Sequence, residues 1–485
     1  MHTSLGDGAD TLRMRARLPV VALTLAKHAP AFALLYLPPA AWAFLSGHLA
    51  LGFALSGPAV TALAAFALVL RKPLPDDLRR IEAMVTVALV FLIAAIGAVP
   101  AFVELGMPPV DAMFEAMSGI TTTGLSVAQA PDEWPFAAHF LRAWMQWIGG
   151  LAMATAVLAL LLPSGTSTQR LGAVGIDHGD RIASTRMKAR QLLGVYLGLT
   201  LVMIALAVLV IPGWHEALVL ILSGISTGGF APRSDSLSSY SLLGQSVVML
   251  SCVLGSVSLV TYVLVLKGKF ADAWFAGSLR RVLTGIALSC GVYAALLLAT
   301  TTLTTTEVAR RLLDLVSALS TAGYSIGPMP ETGVTLTLFL IAMLIGADVG
   351  STGGGLKLER VGTLARALRH ALRAPSMPDR AVAPLRQDGD KVSGKAIISL
   401  LALLLIYALT LLLVWMHFLV HDHAPAPALF DTISALSTVG LSTGLVGADL
   451  PADLKLSLTF AMWLGRLEFI AVLVVLLPKT WMKRI

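Results

Sequence analysis

Charged residues are scarce in this sequence. Aspartate, glutamate, lysine and arginine make up 13% of its 485 residues, while 56% are hydrophobic. Soluble globular domains typically carry about 25% charged residues. A chain this poor in charge is not expected to fold as a soluble domain, and its composition is typical of a protein embedded in a membrane.

Cysteines and catalytic motifs are also few. The two cysteines, Cys252 and Cys290, fall within apolar runs, where a thiol acts as a small hydrophobic side chain. No disulfide framework or cysteine-based metal site is therefore expected. The long apolar runs contain no HExxH motif and no paired aspartates, which are signatures of hydrolytic and metal-dependent enzymes. We predict that the chain is not an enzyme and binds no cofactor covalently.

Long apolar runs recur along the whole chain. Many reach about 18 residues, a length that can cross a hydrocarbon core of about 30 Å. Basic residues form short clusters between these runs, and placing both termini in the cytoplasm puts most of the 35 lysines and arginines on that side, as the positive-inside rule requires. The clusters are not interleaved with aromatic residues, so no nucleic-acid partner is expected despite the net charge of +7.

A short polar segment occurs four times in register. Its copies begin at Ser118, Ser223, Ser317 and Ser434 and share the pattern Ser-[Gly/Ala]-[Ile/Leu]-[Ser/Thr]-Thr-x-Gly-x-[Ser/Ala]. Each copy follows one long apolar run and a half-length apolar stretch, and a second long run comes after it. These second runs, at about 136–162, 243–266, 333–347 and 456–478, are predicted as spans. One copy alone would fit small-residue helix packing, but four copies in register argue against that.

The predicted fold is an all-α polytopic membrane protein. Four parallel, pseudo-symmetric repeats of helix, pore helix, filter loop and helix surround a central pore, and two extra transmembrane helices precede them. The predicted boundaries are 1–82 for the tail and the extra helices, then 83–191, 192–281, 282–393 and 394–485 for the repeats. This arrangement gives roughly ten full spans and four re-entrant helices.

The four polar segments are predicted to form a cation filter. Non-helical backbone at membrane depth must be buried in protein or line a water-filled path. A potassium-type filter needs four short extended loops whose carbonyls replace the hydration shell of the ion, with glycine where φ becomes positive. The predicted filter residues are Thr121, Thr122, Thr123, Gly124, Ser226, Thr227, Gly228, Gly229, Ser320, Thr321, Ala322, Gly323, Ser437, Thr438, Val439 and Gly440.

Acidic residues precede the filter glycines at two regular spacings. Glu115, Asp314 and Asp431 lie nine positions before their glycines, and Asp111 and Glu216 lie thirteen positions before. One interpretation is a negative outer vestibule that concentrates cations. The other is helix N-terminal charge that complements the helix dipole. The sequence favours neither.

The chain resembles the Trk/Ktr/HKT superfamily of potassium transporters, most closely its bacterial TrkH branch, from about residue 20 onward. Besides the repeat, the motifs that carry the resemblance are Arg142 with Gln146–Gly150, Ser226–Phe230, Gly350–Lys357 and Trp463–Glu468. The resemblance implies K⁺ as the transported ion and a multi-pass protein of the bacterial inner membrane. It also implies a homodimer with one pore per protomer and a cytoplasmic, nucleotide-binding TrkA-like regulatory subunit.

In this superfamily the second helix of the third repeat breaks into an intramembrane gating loop, which would be 346–357 here. Five glycines within ten positions are incompatible with a stable helix, which supports this expectation independently. The predicted gate residues are Gly346, Asp348, Gly350, Ser351, Thr352, Gly353, Gly354, Gly355, Lys357 and Arg466. We hypothesise that Asp348 pairs with Arg466 and holds the gate closed; the alternative is that Asp348 faces water in the cavity.

Several other charged or titratable residues allow two interpretations. Arg142 is either a pore-adjacent charge or, as we favour, a residue that snorkels toward the outer interface. His417, His421 and His423 are interpreted as a solvated loop rather than a metal site. The basic segment 356–395 is a candidate docking surface for the regulatory subunit, with anionic membrane lipid as the competing partner.

Three functional alternatives stay open. A Na⁺-permeable relative would carry serine at the first filter glycine, as in plant relatives, so Gly124 favours K⁺. A secondary transporter of another substrate would usually show inverted repeats, whereas these repeats are parallel. A channel and an ion-coupled symporter could both use the same filter.

Overall fold

The computed structural model describes residues 15–74, 78–156, 181–275, 277–300, 302–331, 333–376, 386–387 and 390–482. In these residues the regular structure is helical apart from a two-residue antiparallel pair, β1 (Arg386–Gln387) and β2 (Asp390–Lys391). The all-α prediction is confirmed. Most of the predicted N-terminal tail and part of the basic segment 356–395 lie outside the described residues.

Two helices precede the first repeat, as predicted. They are α1 (Leu18–Leu45) and α2 (Leu49–Val69). An ion pair between Arg17 and Glu82, with 2.7 Å between Nε and Oε1, fixes the start of α1 to the start of the first repeat. Tyr36 donates a buried hydrogen bond of 2.7 Å to the carbonyl of Ala94.

Each repeat contains a long helix, a shorter pore helix, a loop and a second helix. The first repeat has α3 (Arg80–Glu104), α4 (Pro109–Ile120) and α5 (Phe136–Ala156), and the second has α6 (Arg181–Val210), α7 (Trp214–Ile225), α8 (Leu242–Ser256) and α9 (Leu259–Leu266). After the short α10 (Phe270–Phe275), the third has α11 (Ser278–Thr300), α12 (Thr305–Ser320), α13 (Gly333–Ile345) and α14 (Leu358–Arg373). The fourth has α15 (Gly394–Val420), α16 (Pro425–Leu436), α17 (Ala452–Arg466) and α18 (Ile470–Leu476). Single 3₁₀ turns lie at Pro131–Glu133, Ala374–Ser376 and Pro478–Thr480.

Six of the described helices are long and apolar enough to cross a membrane, which makes the chain a multi-pass membrane protein. They are α1, α2, α3, the Ala189–Val210 part of α6, α11 and α15. The prediction that the runs at about 243–266 and 456–478 are unbroken spans is wrong. The second helices of the second and fourth repeats also break, with bends of 89° between α8 and α9 and 120° between α17 and α18.

The break between α8 and α9 is occupied by backbone from the third repeat. The carbonyl of Ser256 accepts a hydrogen bond from the amide of Asp348, and the amide of Leu259 donates to the carbonyl of Gly350. Backbone groups that would otherwise pair within one helix are therefore satisfied by the 346–357 segment. This exchange explains how the helix can break without leaving buried polar groups unpaired.

Hydrophobic packing joins the repeats in a closed order. Separate apolar clusters lie between the first and second repeats, the second and third, and the third and fourth. A fourth and larger cluster joins the fourth repeat back to the first and includes α1 and α2. The polar loops after the pore helices lie at the centre of this ring.

Candidate functional site: four filter loops and the loop beneath them

The four filter loops share one backbone conformation. In each loop, the threonine two positions before the glycine and the glycine itself both have positive φ. The threonines are Thr122, Thr227, Thr321 and Thr438, with φ of 54°, 53°, 57° and 50°, and the glycines are Gly124, Gly229, Gly323 and Gly440, with φ of 91°, 77°, 75° and 101°. Positive φ is unfavourable for threonine, so its repetition at one position in all four copies indicates a conformation imposed by the assembled site.

Each filter glycine lies directly against the loop of the next repeat. A Cβ added to any of these glycines would meet a neighbouring carbonyl oxygen far inside normal contact distance. This oxygen would lie 2.1 or 2.2 Å from the added Cβ. Each glycine and the residue that carries the oxygen are Gly124 and Gly228, Gly229 and Ala322, Gly323 and Val439, and Gly440 and Thr123. The series passes from the first repeat to the fourth and returns to the first, so the predicted filter residues form a closed ring.

Buried carboxylates hold three of the four loops. Glu115, Asp314 and Asp431 each accept a hydrogen bond from the backbone amide three residues after the filter glycine. The amides are those of Val127 at 3.2 Å, Ile326 at 2.7 Å and Thr443 at 2.9 Å. All three carboxylates are at most 1% exposed and none lies in the first turn of its helix. Both the vestibule and the helix-dipole interpretations are therefore wrong for this set, because these groups anchor the loop backbone.

The other two acidic residues, Asp111 and Glu216, lie in the first turn of their pore helices, as the helix-dipole interpretation requires. Asp111 is buried and pairs with Lys455, with 2.7 Å between Oδ1 and Nζ. Glu216 is partly exposed, 3.1 Å from Arg233, and accepts a hydrogen bond from Tyr240. Asp111 therefore forms an ion pair between the first and fourth repeats, and Glu216 forms one within the second repeat.

The second filter loop is held by side chains of α5. Leu220 and Ala231 occupy the positions at which the first and fourth loops carry a carboxylate and a serine. Gln146 Nε2 donates 2.6 Å to the carbonyl of Gly228, and its Oε1 accepts from the amide of Phe230 at 3.2 Å. Gln146 thus bonds the backbone on both sides of the second filter glycine. The sequence marked Gln146 as part of a motif but gave it no role.

Arg142 lies behind the first two loops. It is 3% exposed and forms an ion pair with Glu115, with 2.8 Å between Nη2 and Oε1. It also donates to the carbonyl of Ala231 at 3.2 Å and lies 4.0 Å from the ring centroid of Phe230. The snorkelling interpretation is therefore wrong, because the guanidinium is bound within the protein between two filter loops.

The segment 346–357 is a loop, as predicted, and lies against the filter. Gly346, Gly350, Gly355 and Lys357 have positive φ of 66°, 77°, 76° and 78°. The amide of Gly354 donates 2.8 Å to the hydroxyl of Thr321, and the amide of Gly355 donates 3.0 Å to the carbonyl of Ser437. The ammonium of Lys357 donates to the carbonyl of Gly353, which closes the loop on itself.

The loop also contacts the second repeat directly, and Arg466 connects it to the first. The hydroxyl of Thr352 is 3.1 Å from the carbonyl of Ile225 and 3.0 Å from that of Gly255. Arg466 donates to the carbonyl of Thr352 at 2.8 Å and to that of Gly149 at 3.3 Å. The loop and Arg466 together therefore contact all four repeats immediately beside the filter.

The hypothesis that Asp348 pairs with Arg466 is wrong. Asp348 forms an ion pair with Arg281 at the start of α11, with 2.9 Å between Oδ2 and Nη2. Its Oδ1 also accepts from the amide of Glu359 in the first turn of α14. Arg466 uses backbone carbonyls as acceptors instead. Asp348 is fully buried, so the alternative of a carboxylate facing cavity water is also wrong. Arg281 was missed because it lies in a basic cluster that was used only to predict the orientation of the chain in the membrane.

The three histidines near 420 do not form one solvated loop. His417 lies in the last turn of α15 and His421 caps it, and both contact Asp453 at the start of α17. His423 packs against Phe418, with 5.6 Å between ring centroids. The interpretation as a solvated loop is therefore wrong for His417, which lies within the helix.

Comparison with known proteins agrees with this architecture. The family model described as TrkH, cation transport protein, matches residues 76–267 and 299–482. The chain belongs to the TrkH family. An uncharacterized cation transporter of Methanocaldococcus jannaschii is 28% identical over 82% of this chain and 83% of the relative. The Trk system potassium uptake protein TrkH of Halomonas elongata is 27% identical over 78% and 80%.

The TrkH fold is also found in a solved structure. The crystal structure of the potassium transporter TrkH from Vibrio parahaemolyticus matches with a TM-score of 0.82, covering 96% of this chain and 100% of that one at 21% identity. The resemblance inferred from the filter and loop motifs is thereby confirmed. The repeat boundaries at 83, 192, 282 and 394 stay a prediction.

Proposed function

We propose that this TrkH-family chain takes up K⁺ through the pore at the centre of its four filter loops. The closed series of glycine-to-carbonyl contacts carries this proposal, because four equivalent loops with alternating backbone handedness are what a carbonyl-lined cation filter requires. The hydroxyls of Thr122 and Thr438 are buried and accept no hydrogen bond within the described residues. They are available to an ion.

The relatives support potassium as the ion, since several of them are named potassium uptake proteins. The basic clusters support an orientation with both termini in the cytoplasm, and we propose the inner membrane of a bacterial-type cell as the setting. An inside-negative membrane potential would drive K⁺ inward through this pore, whether or not a second ion is coupled to it. No catalytic role is proposed.

The 346–357 loop is proposed to gate this pore. It forms hydrogen bonds to residues of the third and fourth filter loops and reaches the other two repeats through Thr352 and Arg466. A displacement of the loop would therefore break hydrogen bonds on all sides of the filter. We propose that a cytoplasmic, nucleotide-binding TrkA-like subunit moves it, and that two copies of the chain assemble as a dimer.

The proposal is tested with purified protein in liposomes, from reversal potentials under opposing K⁺ and Na⁺ gradients. Gly124→Ser should reduce the preference for K⁺, because a Cβ at this position would lie 2.1 Å from the carbonyl of Gly228. Gly106→Ser is the matched control: Gly106 has the same φ of 91°, but no atom lies within 4 Å of its Cβ position. No K⁺ current with the regulatory subunit present, or equal effects of the two substitutions, would contradict the proposal.

A further inference from the structure

Three metal-ligand side chains converge where α15 ends and α17 begins. The Nε2 atoms of His417 and His421 lie 3.1 and 2.7 Å from Oδ2 of Asp453. All three donor atoms lie within 4.8 Å of one another. The side chains are 33%, 31% and 52% exposed, so an ion from solution can reach them. None of these residues takes part in the filter or in the 346–357 loop.

The two helices supply these groups with matching spacing. His417 and His421 are four residues apart, as are Asp453 and Ser457, so each pair lies on one helix face. The hydroxyl of Ser457 is 2.8 Å from Nδ1 of His417. Imidazoles that bind metals usually have their second nitrogen held by an oxygen in this way, which fixes the ring and leaves the other nitrogen free to bind the ion. Ser457 provides that contact here.

We propose that His417, His421 and Asp453 form a site for a divalent transition-metal ion of the Zn²⁺ type. Two imidazole nitrogens and one carboxylate oxygen are a common three-ligand set for Zn²⁺, with water in the fourth position. Metal-ligand bonds of about 2.0 to 2.2 Å in a tetrahedron place donor atoms about 3.3 to 3.6 Å apart. The two separations from Asp453, 3.1 and 2.7 Å, are shorter than this by less than about 1 Å, so side-chain movements without a shift of the helices would admit the ion.

The donor chemistry separates this site from the pore. K⁺, Mg²⁺ and Ca²⁺ prefer sites made entirely of oxygen atoms, whereas imidazole favours Zn²⁺, Co²⁺, Ni²⁺ and Cu²⁺. A bound ion would connect the first long helix of the fourth repeat to the helix that ends at Arg466. The site therefore stabilises the packing of α15 against α17 without touching the permeation path.

The test uses the full-length protein in detergent with its affinity tag removed. Titration with Co²⁺ should produce the visible absorption of a tetrahedral Co²⁺ complex at one ion per chain, and Zn²⁺ should abolish this absorption by displacement. His421→Ala and Asp453→Asn should each weaken binding at least tenfold. Ser457→Ala should weaken it by about tenfold while keeping the spectrum, as expected for loss of a group that only orients a ligand.

His423→Ala is the matched control, because this histidine is two residues away and contacts Phe418 instead; it should bind Co²⁺ as the unmodified protein does. Zn²⁺ should also raise the unfolding temperature of the unmodified protein but not that of the triple variant His417→Ala/His421→Ala/Asp453→Asn. The same absorption or the same temperature shift in the triple variant, or no absorption in the unmodified protein, would overturn the proposal.

Discussion

At the residue scale, the filter has a repeated backbone and unequal support. Carboxylates anchor the first, third and fourth loops through the third amide after each glycine. The second loop has Leu220 at the carboxylate position and depends on Gln146 and Arg142 from the first repeat. Arg142 therefore links the two loops, because it bonds to the second loop and also forms an ion pair with Glu115, the carboxylate that anchors the first.

Arg142→Ala is expected to destabilise the protein strongly. The substitution leaves Glu115 as a buried carboxylate without its cation, and breaking a buried ion pair by removing one partner typically costs about 3–5 kcal/mol. Arg233→Ala removes a partly exposed pair with Glu216 and should cost less than about 1 kcal/mol. Free energies of unfolding from denaturant titration in detergent measure both changes. Similar small losses for the two variants would contradict the role assigned to Arg142.

At the element scale, the sequence predicted one broken helix, and the part of the chain that the structure describes contains three. Five glycines made the break at 346–357 visible in advance. The break after Ser256 has no comparable signal, because hydrogen bonds from Asp348 and to Gly350 satisfy its backbone. The break after Arg466 passes through Glu468 and Phe469, both with positive φ, which local propensity would disfavour. Tertiary contacts decide these two breaks, so pattern and propensity could not predict them.

Substitutions of Arg281 and Asp348 should be energetically coupled, because the two residues form an ion pair. Substitutions of Asp348 and Arg466 should not be coupled. Arg281→Gln and Asp348→Asn remove the same contact between α11 and the 346–357 loop. Each is expected to raise basal K⁺ flux, since the loop is held less firmly. Their double variant should show little further increase, giving a coupling energy of about 1 kcal/mol or more.

Flux from K⁺-loaded liposomes measures this cycle, and the matching cycle of Asp348→Asn with Arg466→Gln is the control. Asp348 and Arg466 bond to different groups, so their effects on the logarithm of the flux should be additive. A larger coupling energy for Asp348 with Arg466 than for Asp348 with Arg281 would contradict this assignment and support a pair between Asp348 and Arg466.

At the scale of the whole molecule, the four recurring segments predicted the ring but not the contacts that close it. The register of the Ser/Thr/Gly segments was sufficient to predict four equivalent loops, because backbone handedness depends on glycine position. The partners of the buried charges could not be predicted. Asp111 and Lys455 are 344 positions apart, and no local spacing in the sequence relates them. Only the folded ring brings them together.

The pair between Asp111 and Lys455 should stabilise closure of the fourth repeat on the first. Both side chains are buried, and Nζ of Lys455 also donates 2.7 Å to the carbonyl of Ala448. Asp111→Asn and Lys455→Met should each lower the free energy of unfolding by about 3–5 kcal/mol, because each leaves one buried charge unpaired. Asp111→Leu with Lys455→Met removes both charges and should regain most of the loss, since apolar replacement of a buried pair is often neutral.

Denaturant unfolding in detergent measures all three variants. A double variant no more stable than the singles would show that the Ala448 contact, rather than the charge pair, dominates at this interface.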